Sequence, residues 1–252
     1  MPPITLHMVL ACRIADELGH ACLVAGEGPF VLGATSPDIR VLTRQDRYST
    51  HFFDLGTHEH QDSAAAFLVA YGDLAAPERV SPDTRAFVAG YISHLVMDEQ
   101  YITGIYRHHF LDPEALGGRM RANVMDRLLQ FDLDRKYGAE PGVKMRLARA
   151  LACTLDDIDV GFIEAETLER WRQVATDVAG RSMDWDRARG MISNHLRLAG
   201  LEEGETLASF LDSLPDLLDE TIAHITSDEI HGFVQRCSEA AARAVERYLA
   251  CG

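Results

Sequence analysis

The sequence predicts one all-α domain, an irregular multi-helix bundle covering residues 1–252. Apolar residues recur at three- and four-residue spacing along most of the chain, no segment reads as a convincing β-strand, and no internal repeat points to a solenoid. At 252 residues a single core can bury most of its apolar surface, and 47% apolar with 25% charged residues is ordinary globular composition.

The first helix is expected over residues 6–25, where Val9, Cys12, Ile14, Leu18 and Cys22 share a face, and the run Gly26-Glu27-Gly28-Pro29 is expected to end it. Residues 33–60 carry Gly33, Pro37 and Gly56 with weak periodicity, so they read as a long irregular connection with room for a short helix. A connection of that length in a compact domain usually carries function. Asp62 is placed to cap a short helix through Ala75. Ser81-Pro82-Asp83 supplies the cap and first-turn proline of a long helix from Pro82 to Phe110, with Phe87, Tyr91, His94, Leu95, Asp98 and Ile102 on one side. Further helices are expected over 118–136, 142–153, 162–179, 185–199 and 206–250, the last broken near Pro215 or Ser227.

Lys and Arg number 24 against 39 Asp and Glu, and the resulting net charge of −15 disfavours a nucleic-acid partner. A small phosphorylated substrate stays possible, because a buried metal can set the local field. Cys12, Cys22, Cys153, Cys237 and Cys251 are scattered without a CxxC, which suggests neither a disulfide framework nor a thiolate zinc site. The N-terminus lacks a basic leader and is interrupted by His7, Arg13, Asp16 and Glu17, and no stretch is long and apolar enough for a membrane span. The expectation is a soluble cytoplasmic protein.

Several residue groups carry chemistry in an ordinary structural sense. Trp171 and Trp185 sit among apolar neighbours and read as packing, the Asp156-Asp157-Ile158-Asp159 run reads as a cap or turn, and His58 and His60 read as solvated loop residues. Glu17 and His20 form an ExxH, but no second ExxH exists to complete a di-iron carboxylate site. Adjacent His-Asp, GxSxG and Walker-type patterns are absent.

The pair His94 and Asp98 is different. Four residues apart on a helix, they face the same way and can share a metal ion. Upstream, Ser36-Pro37-Asp38 and Thr50-His51-Phe52 add an acid and an imidazole, each open to a bland reading as a turn residue or a core histidine. Taken in order, His7, Gly33-Ala34-Thr35-Ser36-Pro37-Asp38, Thr50-His51-Phe52 and Gly90-Tyr91-Ile92-Ser93-His94 with Asp98 resemble the bacterial zinc-dependent phospholipase C family and its P1-nuclease relatives, over about the first 100 residues.

The resemblance implies an all-helical domain holding up to three zinc ions, with a zinc-bound hydroxide attacking a phosphoester. Carried onto this sequence, it implies one zinc site at Asp38, His51, His94 and Asp98, with Asp98 also bridging to a second zinc held by His7. Iron or manganese could replace zinc in such a ligand set. Asp98 and Asp38 would be the catalytic carboxylates, Asp98 through its bridging position and Asp38 by orienting the water or taking its proton. Secreted members also use a processed N-terminal tryptophan, whereas this chain starts at Met1, so the second zinc is expected to be weaker or absent. The HxxxE of the family's third site does not occur; candidate substitutes are His108 or His109, and His224, Asp228 and His231 at the spacing of one helical stripe. The expected substrate is a small-molecule or lipid-like phosphoester, with a non-phosphate biosynthetic substrate and a non-catalytic protein with a vestigial site as the other readings.

Overall fold

A computed structural model describes residues 2–198 and 205–250; Cys251 and the expected helix end at Ala199 lie outside them. Among the described residues the fold is all-α, with no strand. Helix α1 (Ile4–Leu18) has no side-chain cap of its own at Pro3. Its amide at Leu6 instead donates to Asp134 Oδ1, 3.2 Å away and 128 residues on. The helix does not continue to residue 25 as expected. Gly19 adopts a left-handed φ of 56°, which glycine accepts without steric cost, and closes α1 by donating to the Ala15 carbonyl. His20 then caps α2 (Ala21–Ala25), its Nδ1 accepting from the Cys22 amide.

The Gly26–Pro29 run, expected to be a terminator, opens α3 (Glu27–Gly33). Pro29 falls in the first turn, where its missing N–H has no intrahelical partner to lose. The expected irregular connection is short helical turns in series: a 3₁₀ turn (Ser36–Ile39), α4 (Arg40–Thr43) and α5 (Arg47–His51), the last capped by Asp46. Asp62 caps α6 (Ser63–Ala70) as expected, accepting from the Ala65 amide at 2.8 Å, but the helix stops at Ala70 and a 3₁₀ turn covers Gly72–Ala75.

Helix α7 (Pro82–Tyr101) begins as its sequence predicts, with Ser81 accepting from the Thr84 amide. It runs on through a π-helical turn (Ile102–Tyr106) and the short α8 (Arg107–His109) to Phe110. The expectation of one buried side is wrong: every residue from Ala86 to Leu95 is buried. Helix α7 is the central strut of the fold. Around it follow α9 (Arg119–Gly138), α10 (Val143–Ala150), α11 (Ala165–Gly180), α12 (Trp185–Leu198), α13 (Glu205–Asp212), α14 (Leu214–Ile225) and α15 (Ser227–Leu249). Its main neighbours are α3 and α15, while α1 packs on α9, α3 and α15.

The α3–α7 contact is close because both helices present glycine. A Cβ at Gly33 would overlap the Phe87 carbonyl, and one at Gly90 would overlap the Phe30 carbonyl. The C-terminal stretch breaks at both sites, not one: after Asp212, before Pro215, and again at Thr226, whose φ is 79°. Trp171 is buried and Trp185 packs on Phe131, as expected of core aromatics. Cys12, Cys22, Cys153 and Cys237 are free thiols. Among the described residues no helix is long and apolar enough to cross a membrane.

Candidate metal centre

Four elements meet at one buried point: α1 brings His7, the 3₁₀ turn Asp38, α5 His51, and α7 both His94 and Asp98. All five residues singled out in the sequence are therefore together. Ligand atoms of His7, His94 and Asp98 lie within 4.8 Å of one another, as do those of Asp38, His51 and His94. His7, His51, His94 and Asp98 are buried, while the Asp38 side chain keeps 14% exposure and marks the open side.

The spacing within the cluster is wrong for hydrogen bonds and right for a shared ion. His7 Nε2 is 3.5 Å from Asp98 Oδ1, His51 Nε2 is 3.4 Å from Asp98 Oδ2 and 3.5 Å from Asp38 Oδ1, and His94 Nε2 is 3.9 Å from Asp98 Oδ1. Charge-assisted hydrogen bonds are shorter, about 2.7–2.9 Å. Ligands bound at about 2.0–2.1 Å around a tetrahedral ion are separated by roughly 3.3–3.5 Å. Accordingly, both nitrogens of His7, Nε2 of His51, Nε2 of His94 and Oδ1 of Asp98 are buried with no hydrogen-bond partner. Burying polar atoms without partners is costly, and the inward ones, one nitrogen of His7, Nε2 of His51 and His94 and Oδ1 of Asp98, are placed so that a cation could satisfy them.

The surrounding contacts orient two of the three rings. His94 Nδ1 is 2.9 Å from the Ala34 carbonyl, which can only accept, so Nδ1 carries the proton and Nε2 turns a lone pair inward. Thr50 Oγ1 lies 2.8 Å from His51 Nδ1 and 3.2 Å from the Arg47 carbonyl, so it bonds the outer nitrogen of His51 and leaves Nε2 facing the cluster. His7 stacks on His94, with ring centroids 3.9 Å apart and planes 10° from parallel. The α3–α7 glycine contact places the Ala34 carbonyl at His94, and the Tyr91 hydroxyl, donating to the Thr50 carbonyl at 2.6 Å, holds the turn that carries His51. Phe52, left-handed at φ 53°, ends that turn and packs edge-on against Phe67.

The electrostatics favour a dication. Burial, with His7 beside it, pushes His94 down to about 3, so its ring is neutral at physiological pH. Burial alone would raise Asp98, but His94, His7 and His51 outweigh it and hold the carboxyl well below the ordinary range. Asp38 is likewise lowered against the pull of burial, through His51 and His94. A neutral His94 and ionised Asp98 and Asp38 are in the protonation states that metal binding requires.

One charged neighbour was not flagged by sequence. Arg47 Nη2 pairs with Asp98 Oδ2 at 2.9 Å, and its Nη1 donates to the Phe53 carbonyl at 3.3 Å. No spacing rule marks it, since it stands 51 residues from Asp98. A cavity of about 410 Å³ runs along the π-helical turn that follows Asp98, lined by Leu55, Tyr106, Arg107, Leu111, Asp126 and Arg127, and none of the five cluster residues borders it. Arg107 also lies over the Phe53 ring and donates to the Thr57 carbonyl.

The candidates for a third ion fare differently. His224, Asp228 and His231 do not form one stripe, because the break at Thr226 puts His224 on α14 and the other two on α15. All three are exposed, as is His108. His109 does meet His224, with ring centroids 5.4 Å apart, but its Nε2 pairs with Glu229 Oε1 at 3.0 Å, and His224 Nε2 contacts the His109 carbonyl at 3.2 Å. Of the other sequence candidates, His58 and His60 are exposed, as is Glu17, and His20 serves as a cap. Compared with known proteins, the chain matches no family model, no curated protein and no solved structure.

Proposed function

We propose that the chain is a metal-dependent hydrolase, with zinc as the resident ion, that cleaves a phosphoester. The observation that carries this reading is the set of buried polar atoms on His7, His51, His94 and Asp98 that converge without partners. His94 holds its Nε2 lone pair inward through Ala34, His51 turns Nε2 inward with Nδ1 on Thr50, and Asp98 supplies the central carboxylate. A divalent ion in such a set lowers the pKa of a coordinated water toward neutrality and polarises a phosphoryl oxygen. Asp38, the most exposed member, faces the open side, where it can orient a water and accept its proton.

The resemblance to the zinc-dependent phospholipase C family agrees in residue types and order. The cavity beside the π-helical turn offers Arg107 and Arg127 to an anionic group and Leu55, Tyr106 and Leu111 to an apolar one, with Asp126 also in its wall. π-Helical turns are frequent at functional sites. The test is hydrolysis of a chromogenic phosphodiester by the zinc-loaded protein. Turnover that disappears with a chelator and with Asp98→Asn, and returns when zinc is added back to the wild type, is the expected result. A metal-loaded protein inactive on phosphodiesters and phosphomonoesters alike would refute the phosphoesterase assignment.

A further inference from the structure

We infer that the centre takes a single divalent ion per chain, because the guanidinium of Arg47 stands where a second cation would bind. The inference rests on the metal-centre reading above and concerns how many ions that centre accepts. The ligand atoms offer two overlapping triads, His7-His94-Asp98 and Asp38-His51-His94, and His94 belongs to both. His94 has one lone pair to give, since its Nδ1 proton is committed to the Ala34 carbonyl. If His94 serves the ion at His7, the other position keeps Asp38 and His51 and must recruit the second oxygen of Asp98, which lies 3.4 Å from His51 Nε2.

That oxygen is already engaged. Asp98 Oδ2 accepts from Arg47 Nη2 at 2.9 Å, whereas Oδ1, on the side of His7 and His94, has no hydrogen-bond partner. The Arg47 side chain is only 14% exposed and is anchored a second time on the Phe53 carbonyl, so it is not a loose surface group. Arginine does not give up its proton in a protein, and a dication bound to Oδ2 would sit against this fixed positive charge in a poorly solvated site. Charge balance agrees. Two carboxylates, Asp38 and Asp98, and one guanidinium, Arg47, meet there, so with both carboxylates as anionic ligands one dication leaves the centre at +1, while two would leave +3. Arg47 supplies in covalent form the positive charge that a bridging second ion would otherwise provide.

The experiment is equilibrium binding of Mn²⁺ to the full chain, with the ion counted per protein and its electron paramagnetic resonance spectrum recorded. The wild type is expected to bind one equivalent with the spectrum of an isolated ion. Arg47→Met, similar in length but neutral, frees Asp98 Oδ2 and is expected to take up a second equivalent with an exchange-coupled spectrum, while Arg47→Lys keeps the charge and stays at one. Two equivalents in the wild type would overturn the inference even if Arg47→Met fails to fold. A folded Arg47→Met that still binds one would also overturn it. A wild type that binds none defeats the metal-centre reading itself, and is recognised by the loss of every equivalent, not by the wrong number of them.

Discussion

Two groups of histidines and carboxylates sit at opposite characters of environment in this chain. In the first, His7, His51, His94 and Asp98 are buried and their inward atoms lack partners. In the second, His109, His224 and Glu229 lie at or near the surface and satisfy one another: His109 pairs with Glu229, and His224 contacts the His109 carbonyl. The residue types are the same and the conclusions opposite. The first group could hold a metal ion because its inward atoms stay unpaired, whereas the second group's atoms bond to one another and tie helices together.

The sharpest way to break this comparison is at Asp98. Asp98→Ala removes the shared ligand and takes the carboxylate partner from the half-buried Arg47, a change expected to cost about 1.5–3 kcal/mol of stability as well as the metal. Denaturant unfolding with and without zinc measures both losses. Zinc should stabilise the wild type and leave the variant's midpoint unmoved.

Gly90→Ala tests whether the backbone, and not only the ligands, builds the first group. The added methyl would overlap the Phe30 carbonyl, so the α3–α7 pair must separate. A loss of at least about 1–3 kcal/mol is expected, with weakened metal binding because the Ala34 carbonyl moves from His94. A stable variant with unchanged affinity would show that the glycine contact does not position His94.

Thr50→Val sharpens the distinction between oriented and unoriented imidazoles. It removes the oxygen that fixes His51 Nδ1 and should weaken metal binding by about 10–100-fold while leaving the ligands intact. Calorimetric titration with zinc reads this directly. Full affinity in the variant would mean that Thr50 does not orient His51.

The smallest effect is a pH dependence in metal-free protein. His94, at about 3 against an ordinary 6.5 because of burial and His7, stays neutral when folded; its stabilising contribution is complete above about 6.5 and is lost as pH falls toward 3. Asp134, raised by burial to about 6 against 3.8, acts in the opposite sense: its contribution is complete below 3.8 and is lost as pH rises through 6. The two offset each other between 3.8 and 6. Asp134→Asn, which keeps the oxygen that accepts from the Leu6 amide, should therefore steepen the loss of stability on acidification, by up to about 1.4 kcal/mol per pH unit. Parallel pH profiles for wild type and variant would contradict this.

Much of the first group could be read from sequence because its signals are local or chemically rare. The His94–Asp98 spacing is a direct consequence of helical periodicity, and Ser81-Pro82 and Asp62 mark their helix starts through capping chemistry that needs only near neighbours. What escaped the sequence depends on distant partners. Arg47 is defined by Asp98, the His94 tautomer by a carbonyl 60 residues away, and the all-round burial of α7 by the packing of α3 and α15 upon it. The supposed stripe of His224, Asp228 and His231 failed for the reverse reason: periodicity was read across Thr226, whose left-handed backbone ends the helix. Pro29 misled similarly, since a proline inside a first turn looks in sequence like a terminator.

The first group is expected to bind metal and the second not. Elemental analysis of tag-free wild type beside His94→Ala and His224→Ala tests it most directly. Stoichiometric zinc, or iron or manganese in its place, is expected in the wild type and in His224→Ala, and none in His94→Ala. A wild type that is metal-free and resists reconstitution, or metal that survives in His94→Ala and is lost in His224→Ala, would contradict it.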